Sequence, residues 1–209
     1  RSIASGDMNG DLLPDLVFCS DKKLILAINN GGLKFSSHLL DLDSVQVLNA
    51  ALVDLDQDGW LDIFVAPYKS PNFILWNRKG RISVENRIFL DVDASSILTN
   101  SVAFGDFDQD GRTDIFCGNW SLGTLLARYS QPTSKNYLYL QRTNGFEKRE
   151  LDGVNGETLS SLATDLNGDG LMDLIVANDF GAPDYFYLNQ GDARFVALDK
   201  NNDLIPSTA

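Results

Sequence analysis

Four nine-residue stretches govern what this chain can fold into: DMNGDLLPD (residues 7–15), DLDQDGWLD (54–62), DFDQDGRTD (106–114) and DLNGDGLMD (165–173). Each places an acid or its amide at positions 1, 3, 5 and 9. Two like charges 4 Å apart repel by about 4 kcal/mol near a protein surface, so every copy asks for a compensating positive charge. The first aspartates lie 47, 52 and 59 residues apart. Self-similarity at such a period marks a repeat architecture, and the length suits a four-stranded propeller blade.

The rest of each unit follows one order. A short strand precedes each stretch: SIASG, NAALV, SVAFG and SSLAT. Five residues before the first Asp stands Ser2, Asn49, Ser101 or Ser160. Three before it stands Ala4, Ala51 or Ala103, with Leu162 as the larger fourth member. An apolar run without alternation comes next (LVF, IFV, IFC, LIV), which predicts strands buried on both faces. Third strands (LILAI, FILW, YLYL, YFYL) end in NNGG, NRKG, RTNG and NQGD, the signature of a hairpin. Fourth strands (KFSSHLLD, ISVENRIFL, FEKREL, FVALD) are polar enough to face solvent, and no segment carries a helical period. The expected fold is an all-β propeller of four-stranded antiparallel blades, at 1–48, 49–99, 100–158 and 159–206. Ser207 and Ala209 fall on the repeat's Ser and Ala positions. The segment is therefore read as about four blades of a larger, seven-bladed propeller, with the remaining blades as its nearest partners.

Bulk composition narrows the function. With 209 residues, 44% apolar and 22% charged, the chain can bury a core. No stretch reaches the roughly 18 apolar residues of a membrane-spanning helix, and the opening RSIASGD has no apolar leader core, so a signal peptide is expected to be absent or already removed. A net charge of −12 argues against nucleic acid, whose phosphates would be repelled. Fourteen of the 29 acidic residues lie in the four stretches, and four divalent ions, +8 in all, would bring the charge to −4. Cys19 and Cys117 sit in apolar runs and are expected as buried thiols. His38, the sole histidine, is expected at the surface, which excludes a histidine-rich zinc site.

In a tight bend, alternate side chains converge on one centre and the residue at position 7 offers its carbonyl. The predicted ligands are Asp7, Asn9, Asp11, Leu13 (carbonyl) and Asp15; Asp54, Asp56, Asp58, Trp60 (carbonyl) and Asp62; Asp106, Asp108, Asp110, Arg112 (carbonyl) and Asp114; and Asp165, Asn167, Asp169, Leu171 (carbonyl) and Asp173. An all-oxygen, flexible cage suits calcium, up to four ions, ahead of magnesium. Position 12 is apolar in every copy (Phe18, Val65, Cys117, Val176), so the EF-hand's closing glutamate is missing and the flanks read as strands. Position 6 is Gly59, Gly111 and Gly170, but Leu12 in loop one, which marks that loop as the weakest. The competing reading is four metal-free Asp-Gly turns. The favoured role for the ions is structural.

FGDFDQDGRTDIF (104–116) and ATDLNGDGLMDLIVAND (163–179) resemble the FG-GAP/VCBS repeats of integrin α-type β-propellers. The fourth unit, with VANDFGAPDYFYLNQGDARF, looks most like the ASPIC/UnbV and cartilage-acidic-protein branch. The resemblance implies calcium loops on one face and partners docking on the other face or rim. The candidate recognition loops are then 67–72, the long 118–136 and 178–184. Their candidate contacts are Tyr68, Trp120, Arg128, Tyr129, Asp179 and Phe180, with packing between blades the alternative for Trp120. NWS at Asn119 reads as a glycosylation acceptor. The resulting expectation is a non-catalytic module outside the cytoplasm, at a cell surface or in a periplasm, binding a protein partner. A glycan-binding propeller and an accessory domain of a secreted polysaccharide-active enzyme are the alternatives.

Overall fold

The structure, a computed structural model, describes residues 2–20, 23–43, 45–90, 98–120, 135–152, 157–179 and 183–198. Their strands form four sheets of four. The first holds β1 (Ile3–Gly6), β2 (Asp15–Ser20), β3 (Lys23–Asn29) and β4 (Phe35–Leu40). The second holds β5 (Val47–Val53), β6 (Asp62–Pro67), β7 (Phe73–Leu75) and β8 (Ile88–Phe89). The third holds β9 (Thr99–Gly105), β10 (Asp114–Asn119), β11 (Tyr137–Arg142) and β12 (Gly145–Glu150), and the fourth β13 (Thr158–Thr164), β14 (Asp173–Asn178), β15 (Tyr185–Asn189) and β16 (Phe195–Ala197). Strands neighbour one another in chain order, and no helix occurs among the described residues. The Asp-rich stretch joins first strand to second in every sheet. Its ninth residue opens the second strand: Asp15 pairs with Gly6, Asp62 with Val53 and Asp173 with Thr164.

The chain divides into two compact units, Arg1–Asn100 and Ser101–Ala209. In the first, Val17, Cys19, Leu24 and Leu26 pack against Val47, Ala50, Ile63, Val65, Phe73 and Leu75, joining its two sheets through one core. In the second, Ala103, Phe107, Phe116, Leu138 and Leu140 meet Leu174, Val176 and Tyr187. Each fully buried Leu, Ile or Phe stabilises by about 1.5–3 kcal/mol. First strands are also tied by hydroxyls: Ala50 N donates to Ser2 Oγ at 2.7 Å, and Ser101 Oγ lies 2.6 Å from Ser161 Oγ. Those bonds give two of the repeat's serines, Ser2 and Ser101, a role between sheets.

Three expectations change. β6 and β10 are buried along their whole length, but β2 alternates between buried and half-buried. Within its unit, the first sheet packs one face on the second sheet, and period-two burial is what one covered face produces. ISVENRIFL contributes only Ile88 and Phe89 to a strand, paired with Ile74 and Phe73, while Ile82 makes an isolated bridge to Asn77. Asn119 is not presented as an acceptor. It is fully buried at the end of β10, and its amide nitrogen donates to the Lys135 carbonyl at 2.6 Å. Cys19 and Cys117 are buried and not joined in a disulfide, and His38 is exposed on β4.

Candidate metal centre

The four loops share one hydrogen-bond frame. At position 9 the carboxylate is completely buried in every copy. One of its oxygens accepts the N–H of position 2: Met8 to Asp15 at 2.8 Å, Leu55 to Asp62 at 3.1 Å, Phe107 to Asp114 at 2.9 Å and Leu166 to Asp173 at 2.9 Å. The other accepts an N–H from the end of the third strand, donated by Asn29, Asn77, Gln141 and Asn189, each at 2.8 Å. These aspartates therefore hold the bend to its own hairpin, whether or not they also reach a cation. Burial, reinforced by the charges at positions 3 and 5, pushes the Asp62 and Asp114 carboxyls up to about 6 against those N–H donors.

Position 1 accepts from the bend's own backbone. Asp54 takes the N–H groups of Asp58 (3.1 Å) and Gly59 (2.9 Å), and Asp106 those of Asp110 (3.0 Å) and Gly111 (2.9 Å). Asp165 binds Gly168 and Gly170, and Asp7 binds Gly10 and Leu12. Burial is the largest influence on Asp7 and raises its carboxyl, but four backbone N–H donors outweigh it and hold it below the usual range. The Gly170 N–H does most to lower Asp165. Position 5 closes the turn: Asp11, Asp58, Asp110 and Asp169 accept the N–H of Leu13, Trp60, Arg112 and Leu171 at 2.8–3.0 Å.

Two loops bring at least three carboxylates into ligand range. Oxygens of Asp54, Asp56 and Asp58 all lie within 4.8 Å of one another, as do those of Asp106, Asp108 and Asp114. Asp56 Oδ1 is buried without a hydrogen-bond partner, an orphan that a hard cation would satisfy. All the donors are oxygen, so the residues present fit calcium. The same loops hold arginines: Arg78 Nη1 contacts Asp56 and lies 3.3 Å from Asp58 Oδ2. Arg142 Nη1 lies 2.6 Å from Asp108 Oδ2 and 3.3 Å from Asp110 Oδ2, and Arg112 Nη1 lies 2.9 Å from Asp110. In loops one and four the position-3 amides act instead. Asn9 Nδ2 donates to Asp11 at 3.0 Å and Asn167 Nδ2 to Asp169 at 2.8 Å.

Position 6 is left-handed throughout, with φ of 87°, 85° and 85° at Gly59, Gly111 and Gly170 and 66° at Leu12. Position 7 in loop two does more than offer a carbonyl. The Trp60 indole lies over Gly10 of loop one, where an added Cβ would fall 2.8 Å from the ring.

Sequence reasoning missed the asparagine at or just beyond the end of three of the third strands. Asn77 Nδ2 donates to the carbonyls of Met8 (2.8 Å) and Leu61 (3.1 Å), while its Oδ1 accepts the Gly80 N–H at 2.8 Å. Asn189 repeats this on Phe107, Met172 and Gly191. Each asparagine ties its own loop, its own hairpin and the loop of the preceding sheet. The signal was present: Asn29, Asn77 and Asn189 lie 14, 15 and 16 residues after the position-9 Asp. Glu157 was also missed. It is 1% exposed, neither carboxylate oxygen has a hydrogen-bond partner, and burial raises its pKa, with the Asp179 charge adding to it.

Of the proposed recognition residues, Tyr68 is 39% exposed just beyond β6. Trp120 is half-buried and bridges Glu157, whose carbonyl also accepts the Asp179 N–H at 3.1 Å. The backbone thus gathers Trp120, Glu157 and Asp179 at one place. Arg128, Tyr129 and Phe180 lie outside the described residues.

Residues 7–65 and 54–117 match the family model of the FG-GAP-like repeat, and residues 159–193 match that of the FG-GAP repeat. Among solved structures, the chain is similar to a propeller-like Agrocybe aegerita lectin, described for its specific recognition of non-reducing terminal N-acetylglucosamine. That likeness has a TM-score of 0.58 at 16% identity and covers 93% of this chain and 51% of the other. The chain thus spans about half the length of the structure it matches, and the likeness is one of fold.

Proposed function

The chain belongs to the FG-GAP repeat family, and on that premise we propose that it is a calcium-stabilised, non-catalytic propeller segment that binds a protein partner outside the cytoplasm. The observation that carries the calcium reading is the convergence of Asp54, Asp56 and Asp58 around an unpartnered buried oxygen, on a backbone frame repeated four times. Asp54, Asp56, Asp58, the Trp60 carbonyl and Asp62 would hold the ion in loop two, and the matching positions, Asp114 among them, in the other loops. When bound, calcium supplies the positive charge that lets clustered carboxylates face one another. The backbone frame pre-orients those oxygens, so little ordering is left for the binding step.

Strand directions support the choice of recognition loops. Loops 67–72 and 178–184 leave the far ends of β6 and β14, whereas the acidic loops enter the near ends. Within each sheet a six-residue strand separates the two ends by roughly 20 Å, so a partner at a far-end loop stays clear of that sheet's ion. Long or exposed loops on a rigid frame commonly carry recognition. A catalytic role is disfavoured because the one histidine is exposed on an outer strand and both thiols are buried.

Calorimetric melting in calcium and in EGTA tests the metal reading: the transition falls steeply with chelator, and an unchanged transition ends it. The second reading, glycan recognition, draws on the likeness to a lectin fold. A glycan array decides it, with binding lost in Tyr68→Ala or Trp120→Ala supporting it.

A further inference from the structure

In every acidic loop Oδ2 of the position-5 aspartate has a side-chain donor, and the loops divide by the kind of donor. Loops one and four use their own position-3 amide, Asn9 or Asn167. Loops two and three have Asp56 and Asp108 at position 3, and there a guanidinium arrives from outside the loop, joined in loop three by the loop's own Arg112, which among the described residues reaches Asp110 but not Asp108. Arg78 and Arg142 hold the same place in the repeat. Each directly follows the residue, Asn77 or Gln141, whose N–H braces the position-9 aspartate. The matching residues behind the other two loops are Asn30 and Gln190, both neutral. An arginine thus stands behind a loop where position 3 is a charged acid, and a neutral residue where it is an amide.

Each arginine makes a second contact at the same time, outside the loop. Arg142 reaches Glu147 of β12, with Nη2 3.0 Å from Oε2. Arg78 lies over the Trp76 ring, 5.2 Å from its centroid, and borders a hollow of about 360 Å³ with Trp76 and Ile82. The oxygens the arginines hold belong to the carboxylates that a divalent ion would need. A guanidinium and a dication at one cluster repel each other.

We infer that Arg78 and Arg142 are built-in counter-cations, which neutralise loops two and three when calcium is scarce and release the loop carboxylates when it binds, keeping their outer contacts to Trp76 and Glu147. Loops two and three then take calcium more weakly than their carboxylates alone would dictate, and respond to higher concentrations. This rests on the reading that the loops bind a divalent cation.

Calorimetric titration of the whole chain with calcium tests it, on the wild type, the double variant Arg78→Gln/Arg142→Gln and the double variant Arg78→Lys/Arg142→Lys. The Gln variant is expected to tighten two of the binding steps about tenfold, the size of effect a nearby unit charge exerts at a partly exposed site. The Lys variant is expected to stay near wild type. In EGTA the Gln variant melts below wild type, and in saturating calcium it does not. Calcium binding that is equal or weaker in the Gln variant overturns the inference while leaving the metal reading intact. No binding heat in any protein overturns both. Should the Gln variant not fold, the side-chain Nε–H resonances of wild-type Arg78 and Arg142 carry the test: movement on calcium addition supports displacement, and unmoved resonances refute it.

Discussion

The position-9 aspartates show how one residue type serves two ends. Asp62 is a candidate ligand, yet both its oxygens already accept backbone N–H groups in the core. Leu12 shows a different compromise. It holds φ of 66° where three other loops use glycine, with its side chain 90% exposed. A left-handed non-glycine residue costs about 1–2 kcal/mol, so Leu12→Gly is expected to stabilise by about 1 kcal/mol, read in a urea melt. Glu157 carries a pH signature. Its folded pKa is raised from 4.5 by burial and then by Asp179, so the folded state keeps a proton that the unfolded chain has released. Stability therefore falls as pH rises from about 4.5 toward the folded value, the sign set by proton linkage. Glu157→Gln removes that loss. Its melting temperature is expected to exceed wild type at pH 7.5 by about 2–4 °C per kcal/mol gained, and to match it below pH 4.

At the scale of the element, the loop and the hairpin facing it form one unit. The asparagine closing the third strand joins them, and in the first unit it also reaches back to Met8. Removing it leaves the Met8 and Leu61 carbonyls and the Gly80 N–H without their partner. Asn77→Ala is expected to destabilise by about 2–4 kcal/mol, at about 1–3 kcal/mol for each buried group left unsatisfied, discounted for shared relaxation. Asn29→Ala costs less, because Asn29 is 9% exposed and its Nδ2 donates to one carbonyl, that of Pro14, where Asn77 donates to two, while each Oδ1 accepts one backbone N–H. Comparing the two variants in one denaturant series separates the bridging bond from the hairpin bond.

Over the whole molecule the charge balance decides. A chain of net charge −12 concentrates nearly half its acids in four loops. A site held at ten times its dissociation constant adds about 1.4 kcal/mol, so four sites together approach the 5–15 kcal/mol of an ordinary domain. The EGTA melt is therefore expected to fall by about 10 °C or more. Arg78 and Arg142 soften that fall, and a Gln variant at both positions deepens it.

The repeat was legible in the sequence because its residues act locally. Asp at positions 1 and 5 binds N–H groups within its own bend, and a bond spanning two to five residues leaves a fixed spacing in any copy. The four-stranded meander followed from apolar runs and hairpin turns for the same reason. What sequence spacing alone left open depends on partners far along the chain. The β2 face left half-buried, the reach of Asn77 to Met8, the burial of Asn119 and the arginines on Asp56 and Asp108 all join residues whose separation varies from copy to copy. Packing of one sheet on the next sets the β2 face and the reach of Asn77, and the course of each sheet's own hairpins sets the Asn119 and arginine contacts, so only the tertiary structure decided them.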